Sequence, residues 1–230
     1  PTSPPPPLEE RALDFPPFTE RTLPNGLRLI VVETHDLPVV NLDLYVESGS
    51  ASDPPALAGL SSMVADLLTK GTPTRSAEEI ARTIEGAGGQ LSAGAAQDYL
   101  RVGATVLSEH TDLAFDLVSD VTLRATFPEE ELNLTRRRML TSLQAELANP
   151  GAVASRHFAR EVYGAEHPYR LAPEPITVEA IDRDGVIRFR DEHFKADNAL
   201  LVISGDVEMG QVEALVEQYF GEWAGGGVPE

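Results

Sequence analysis

Apolar and polar residues alternate along two segments near the start of the chain. The apolar positions are Leu27, Leu29 and Val31 in the first segment, and Val40, Leu42, Leu44 and Val46 in the second. A period of two predicts strands with one face turned toward a core. The sequence Pro24-Asn25-Gly26 predicts a turn before the first strand, because glycine accepts a positive φ.

The next segment has apolar residues at helical spacing, which predicts one buried stripe on a helix. The stripe consists of Leu57, Leu60, Val64, Leu67 and Leu68. Asp53 and the two prolines that follow it are expected to open this helix as cap and first turn. At 100° per residue, Ser62, Ala65, Asp66 and Thr69 fall opposite the stripe. We therefore expect these four small or polar side chains to face away from the core.

Further strands and helices follow in blocks. Ser76 and Glu79 form a capping box that predicts a helix over residues 77–86. Two strands are expected in GGQLSAGAAQ and YLRVGATVLS and one in ALLVISGDV, and helices over residues 111–121, 128–148, 152–163, 178–192 and 210–220. This order predicts an α+β domain with a mostly antiparallel sheet packed with helices.

Charge and composition exclude several classes of function. With 18 Lys and Arg against 37 Asp and Glu, the net charge is −19, so the field repels nucleic acid and anionic membrane surfaces. The chain has no cysteine, which excludes disulfides, thiolate zinc sites and cysteine nucleophiles. No apolar run reaches the roughly 18–20 residues of a membrane span.

Both ends of the chain have biased composition. We expect residues 1–17 to be a Pro-rich tail or linker, residues 18–223 a single domain, and residues 224–230 a Gly-rich linker to an absent C-terminal domain. The Pro-rich start fits the region after a removed signal or lipid anchor, and equally an ordinary disordered tail. The compartment stays open, with an extracytoplasmic (periplasmic) setting favoured over a cytoplasmic one.

Long stretches of the chain resemble one family. TLPNGLRLIVVETHDLPVVNLDLYVESGSASDPPALAGLSSMVADLLTKGTPTRS looks like the opening of the pitrilysin/insulinase-type zinc peptidases, which include the mitochondrial processing peptidases. EGAGGQLSAGAAQDYLRVGATVL, LQAELANP, YGAEHPYR and ADNALLVISGDV continue the resemblance in the family's order. The resemblance covers nearly the whole chain after the tail. It implies the N-terminal, metallohydrolase-type domain of such a peptidase.

The resemblance also shows where the family's zinc site would lie. Active members have H-x-x-E-H just before a stretch like LLTKGT, so that two histidines one turn apart bind zinc and the glutamate activates water. A glutamate on a later helix is the third ligand. Counting back from KGT, the ligand and base positions are Ser62, Ala65 and Asp66, and counting back from Asn149 places the third ligand at Ser142.

These four residues cannot perform the family's chemistry. Serines are poor zinc ligands, Ala65 cannot transfer a proton, and Asp66 is a single carboxylate whose ordinary interpretation is a solvated surface charge. Zinc is expected for the family, but we predict no metal ligand and no catalytic residue here. No histidine has a second histidine three or four positions away; the five are His35, His110, His157, His167 and His193. His167, in the HPY loop, is expected to have a packing or hydrogen-bonding role.

Three further residues are candidates for a substrate cleft. In active relatives, the strand after the glycines lines the cleft and carries an Asn-Ala pair; Ser92-Ala93 stands at that place, after Gly89. An edge strand at this position could bind an extended peptide through its backbone, whatever its side chains.

The resemblance implies a catalytically inactive homologue, the non-catalytic partner of a zinc peptidase, which contributes cleft wall, peptide contacts and stability. The expected partner is an active zinc-peptidase subunit or the missing C-terminal half. Two alternatives stay open. One is an active metallopeptidase with a metal site rebuilt around Asp66, and the other is a stand-alone peptide-binding or scaffold domain.

Overall fold

The computed structural model describes residues 16–164 and 167–228. The strands are β1 (Thr19–Thr22), β2 (Arg28–Glu33), β3 (Val39–Val46), β4 (Gln90–Ala95), β5 (Leu100–Leu107) and β6 (Ala199–Gly205). The helices are α1 (Leu60–Leu68), α2 (Ala77–Gly86), α3 (Thr111–Leu123), α4 (Glu129–Leu147), α5 (Pro150–Tyr163), α6 (Pro175–Ala180), α7 (Arg183–His193) and α8 (Met209–Phe220). In this part of the chain, no helix is both long and apolar enough to cross a membrane.

The six strands form one mixed sheet in the order β1-β2-β6-β3-β5-β4. β2 and β6 are parallel, and every other neighbouring pair is antiparallel. The last strand in sequence, β6, lies between β2 and β3, in the middle of the sheet. The expected α+β fold with a mostly antiparallel sheet is confirmed.

The alternation read from the sequence corresponds to burial in the sheet. Along β3, every second side chain is buried, with Leu42 and Leu44 fully inaccessible. Burying a leucine side chain contributes about 1.5–3 kcal/mol, so this face fixes the register of the strand. The four-residue strand β1 was not predicted, because TERT is polar and exposed and is a strand only through its pairing with β2.

The prediction that the first helix starts at Asp53 and its prolines is wrong in position. Two short 3-10 turns come first, and α1 begins at Leu60 after Gly59, whose φ is 102°. Asp53 nevertheless caps the helix from a distance, because its carboxylate accepts the backbone N–H groups of Gly59 and Ser61, each at 2.8 Å. Burial raises the pKa of Asp53 to about 6, although these hydrogen bonds oppose the shift.

The predicted helix over residues 178–192 is also wrong, since the chain forms two helices there, α6 and α7. Ile181 is fully buried between them, and the Asp182 side chain accepts the N–H of Gly185 at 2.7 Å as the cap of α7. A capping side chain favours a new helix start over continuation. The capping box of α2, from Ser76 and Glu79, is confirmed.

The two ends of the chain are described in part. Residues 1–15, most of the predicted Pro-rich tail, lie outside the described residues. In the Gly-rich segment, Gly226 and Gly227 donate backbone N–H groups to Asp197 at 3.1 and 3.0 Å. These bonds, the largest cause, lower the pKa of Asp197.

Candidate functional site

Helix α1 carries three of the four positions that match the zinc motif, and it is packed on most sides. It contacts β4, α4 and α7. Ser62 is half-buried and Asp66 is partly exposed, so both lie on the helix face left open by these contacts. Ala65 is 1% exposed, which corrects the expectation that it faces away from the core.

A groove of about 300 Å³ opens where α1, β4 and α4 meet. It is lined by Ala65, Asp66, Thr69, Lys70, Ser92, Ala93, Thr135 and Arg138. The fold thus brings two motif positions on α1 together with both residues of the predicted cleft strand. Ser142, the position of the third ligand, is exposed on α4 one helical turn beyond Arg138 and is not among the lining residues.

The charges in this groove are two cations and one carboxylate. Partial burial raises the pKa of Asp66, and the charges of Lys70 and Arg138 oppose this shift without cancelling it. Neither cation lies within 4.0 Å of a carboxylate among the described residues. The groove therefore combines a partly desolvated acid with an excess of positive charge.

This donor set does not fit zinc. A zinc site needs several imidazole, thiolate or carboxylate donors, and in this groove Asp66 is the single strong donor, beside the weakly coordinating hydroxyls of Ser92 and two threonines. Lys70 and Arg138 add repulsion toward a divalent cation. Within residues 16–164 and 167–228, no three His, Cys, Asp or Glu side chains are grouped so that they could hold a metal ion.

The segment that follows α1 is anchored by hydrogen bonds that require no metal. Gly71 has a φ of 150°, and its carbonyl accepts the N–H and the hydroxyl of Thr126 at 2.9 and 3.1 Å. The Thr72 hydroxyl donates to the buried carboxylate of Asp120 at 2.9 Å. These contacts fix the backbone that carries Lys70.

Asp120 connects this segment to α3 through a compact ion network. Its carboxylate is fully buried and accepts from Arg75 and Arg124, each at 2.8 Å. Burial alone would raise the pKa of Asp120, but the hydrogen bonds from Arg124, Thr72 and Arg75 outweigh burial and lower it. Arg75 also pairs with Asp116 at 2.6 Å.

Strand β4 forms the outer wall of the groove and lies at one end of the sheet. Among the described strands it pairs only with β5, so its other edge is free. Ala93 packs toward the core, whereas the Ser92 hydroxyl accepts a hydrogen bond from Arg101 at 3.4 Å. Gly89 admits no side chain, because an added Cβ would lie 2.8 Å from the carbonyl oxygen of Thr105.

A second cavity of about 380 Å³ continues along the same strand. It shares Thr69, Lys70 and Ser92 with the first cavity. Its walls include Ile80 and Ile84 of α2, which gives it a more apolar side. Lys70 therefore lies at the junction of the two cavities.

The described histidines are scattered and take part in local contacts. His167 Nδ1 accepts the N–H of Tyr169 at 3.1 Å, and its ring stacks on Tyr163 with 5.0 Å between centroids. These contacts agree with the packing role expected for it. His35 pairs with Asp206 at 2.8 Å, and burial lowers the pKa of His193.

Sequence reasoning missed Lys70 and Arg138 as residues of the site. Lys70 served only to set the register, and Arg138 lies in a run of three arginines that reads as a solvated helix face. The one available signal was helical phase, since Arg138 precedes Ser142 by four residues and shares its face.

Two profiles of known protein families match this chain. The family profile described as "Insulinase (Peptidase family M16)" matches residues 28–170, which is more than half of the chain. The chain belongs to this family. A second profile, described as "Peptidase M16 inactive domain", matches residues 180–230.

Curated relatives of this M16 chain are described as uncharacterised zinc proteases. The Streptomyces coelicolor protein is 28% identical over 86% of this chain and 44% of its own length. The Bacillus subtilis protein is 24% identical over 88% of this chain and 49% of its own length. The chain thus spans about half the length of the curated relatives that it matches.

Two solved structures share the fold. The "peptidase M16 inactive domain" of Pseudomonas fluorescens has a TM-score of 0.86 at 24% identity, and it covers 93% of this chain and 52% of its own. "A protease from Helicobacter pylori" has a TM-score of 0.87 at 20% identity, with 94% and 53% covered. At these identities the likeness establishes the fold of the M16 domain.

Proposed function

We propose that this M16 domain is catalytically silent and acts as the non-catalytic partner of an active zinc peptidase. In this role it contributes one wall of the substrate cleft and backbone contacts to an extended peptide. The partner is an active subunit of the family or the second half that the longer relatives contain. No step of hydrolysis is assigned to this chain.

The residues at the motif positions and the charges of the groove carry the proposal. Ser62, Ala65 and Asp66 stand where two zinc ligands and the general base are expected, and Lys70 and Arg138 give the groove two positive charges. A general base needs a titratable group within reach of water, and alanine has none. The site retains a groove and the free edge of strand β4, and both are suited to binding an extended peptide.

A second candidate function is an active metallopeptidase with a rebuilt site. The names of the curated relatives, which are zinc proteases, favour it. Asp66 would have to be its centre, with donors recruited from a partner chain. The two neighbouring cations weigh against this candidate, because they disfavour a divalent ion beside Asp66.

Co-expression with an active family member tests the proposed role. The probe is a protein that is encoded beside this chain and retains H-x-x-E-H. We expect the two to co-purify and the pair to cleave an unstructured peptide faster than the active member alone. A stable monomer that neither co-purifies nor changes cleavage would overturn the partner role.

A matched control assigns the activity within the pair. Replacement of the motif glutamate of the active member by glutamine should abolish cleavage while the two proteins still co-purify. Residual chelator-sensitive cleavage by that pair would locate hydrolysis in this chain and favour the second candidate.

A further inference from the structure

The groove between α1, β4 and α4 has an electrostatic character opposite to that of the whole chain. The chain carries a net charge of −19, yet the groove contains Lys70 and Arg138 against the single carboxylate of Asp66. Neither cation has a carboxylate partner within 4.0 Å among the described residues, whereas most of the other described arginines are paired. Unpaired cations beside a cavity are available to a ligand.

The backbone positions that carry the two cations are fixed by the fold. Lys70 follows the last turn of α1, and the adjacent Gly71 and Thr72 are fixed by hydrogen bonds to Thr126 and Asp120. Arg138 projects from the middle of the nineteen-residue helix α4. Because both backbones are fixed, binding a ligand requires ordering only the two side chains, and the conformational entropy lost at these positions is confined to them.

The free edge of β4 forms the border of the same groove. An extended peptide that pairs with this edge places alternate side chains on one face of the enlarged sheet. Ala93 of β4 lines the groove, so a peptide side chain beside it enters the space next to Lys70 and Arg138. Edge pairing and groove occupation are therefore compatible with one bound segment.

We propose that the altered metal site of this domain is a receptor for an acidic side chain of an extended peptide. The peptide pairs with the free edge of β4, and its Asp or Glu carboxylate binds between Lys70 and Arg138. A carboxylate accepts charge-assisted hydrogen bonds from both cations and neutralises the excess positive charge. The inference rests on the proposed function, since it specifies the peptide that the cleft wall binds.

The carboxylate of Asp66 competes with a peptide carboxylate for Lys70 and Arg138, and this competition limits the affinity of the site. Its carboxylate already interacts with both cations, but two positive charges against one negative charge leave an acceptor position. Since Arg138 is exposed, the interaction is screened by salt and is of surface type. We therefore expect a preference for the acidic peptide of about threefold to tenfold at low ionic strength, which shrinks as salt is added.

Fluorescence anisotropy with the intact chain tests this proposal. The probes are two labelled peptides of alternating Val and Ser with one central residue, Glu in the first and Gln in the second. Both ends are acetylated or amidated, so the central side chain is the single carboxylate. We expect tighter binding of the Glu peptide, and loss of that preference in Lys70→Gln and Arg138→Gln.

Arg137→Gln is the matched control. Arg137 is also exposed on α4 and carries the same charge, but it does not line the groove. It should retain the preference, which separates a local contact from a change in net charge. Thermal unfolding of each variant confirms that the fold is intact.

The outcomes distinguish this inference from the proposed function. Equal binding of the Glu and Gln peptides, or a Glu preference that survives in both groove variants, overturns the acidic receptor but leaves the peptide-binding wall. Binding of neither peptide overturns the receptor together with the peptide-binding part of the proposed function. Chelator-sensitive cleavage by this chain alone would contradict its silence without altering the binding preference.

Discussion

Asp66 on α1 and Arg138 on α4 line the same groove, although 72 positions separate them along the chain. The guanidinium opposes the rise in the pKa of Asp66 that partial burial causes. In an active relative, the position of Asp66 would carry a metal-binding histidine. Here the groove contains one carboxylate and two cations, which is the basis of our proposal that it binds an anionic side chain.

Removal of Arg138 should raise the pKa of Asp66 further. In Arg138→Gln, burial still disfavours the carboxylate, while one of the two opposing cations is lost. Carboxyl-detected NMR titration of the wild type and the variant measures the change. An unchanged pKa in Arg138→Gln would show that the two side chains do not share the groove.

Restoring the ligands should create a zinc site. Ser62→His, Asp66→His and Ser142→Glu together supply the three ligands that the family motif requires, and we expect close to one zinc per chain with a higher unfolding temperature. Zinc titration monitored by thermal unfolding, followed by a chelator, measures the gain and its reversal.

A variant that keeps Ser62 and carries only the other two substitutions is the control for this experiment. It should bind zinc weakly, because two ligands do not complete a site. If the triple variant binds no more zinc than the control, the assignment of residues 62–66 and 142 to the motif is wrong.

Asp53 should make stability depend on pH in an unusual direction. Its pKa in the folded chain is raised to about 6, above the ordinary value of 3.8, so its contribution is fully present below the ordinary value and is lost as pH rises through about 6. Relative to Asp53→Asn, the wild type should lose about 1–2 kcal/mol of unfolding free energy between about pH 5 and about pH 7.5.

Urea denaturation of wild type and Asp53→Asn at the two pH values measures this difference. At the lower pH, Asp53→Ala should cost about 1–3 kcal/mol, because it leaves the N–H groups of Gly59 and Ser61 without an acceptor. A pH-independent difference between wild type and Asp53→Asn would contradict the raised pKa.

Asp120→Asn should destabilise the fold more than Asp116→Asn. The Asp120 carboxylate is fully buried and accepts from Thr72, Arg75 and Arg124, so we expect a loss of about 2–4 kcal/mol. Asp116 is partly exposed and pairs only with Arg75 among these, so its loss should stay near about 1 kcal/mol. Chemical denaturation ranks the two, and the reverse order would be inconsistent with the network.

Features that depend on local sequence were predictable. The capping box of Ser76 and Glu79 needs only neighbouring residues, and the alternation of β3 directly reports its buried face. Features that depend on distant partners were not. Strand β1 exists through its pairing with β2, and the cap of α1 reaches back to Asp53 across two 3-10 turns.

In the candidate site too, some features were predictable from the sequence and others arise only from the tertiary fold. The register that places Ser62, Ala65 and Asp66 on α1 came from a linear motif, whereas burial of Ala65 follows from packing against β4, α4 and α7. The juxtaposition of Lys70 and Arg138 is a product of the tertiary fold, because no periodicity links residues so far apart. The domain limits at residues 17 and 223 stay predictions.

Metal content and hydrolysis of the purified chain test the central claim most directly. The chain is dialysed against zinc, washed free of excess metal, analysed for bound zinc, and incubated with an unstructured peptide with and without a chelator. The account predicts far less than one zinc per chain and no cleavage that the chelator abolishes. One tightly bound zinc per chain together with chelator-sensitive cleavage would contradict it.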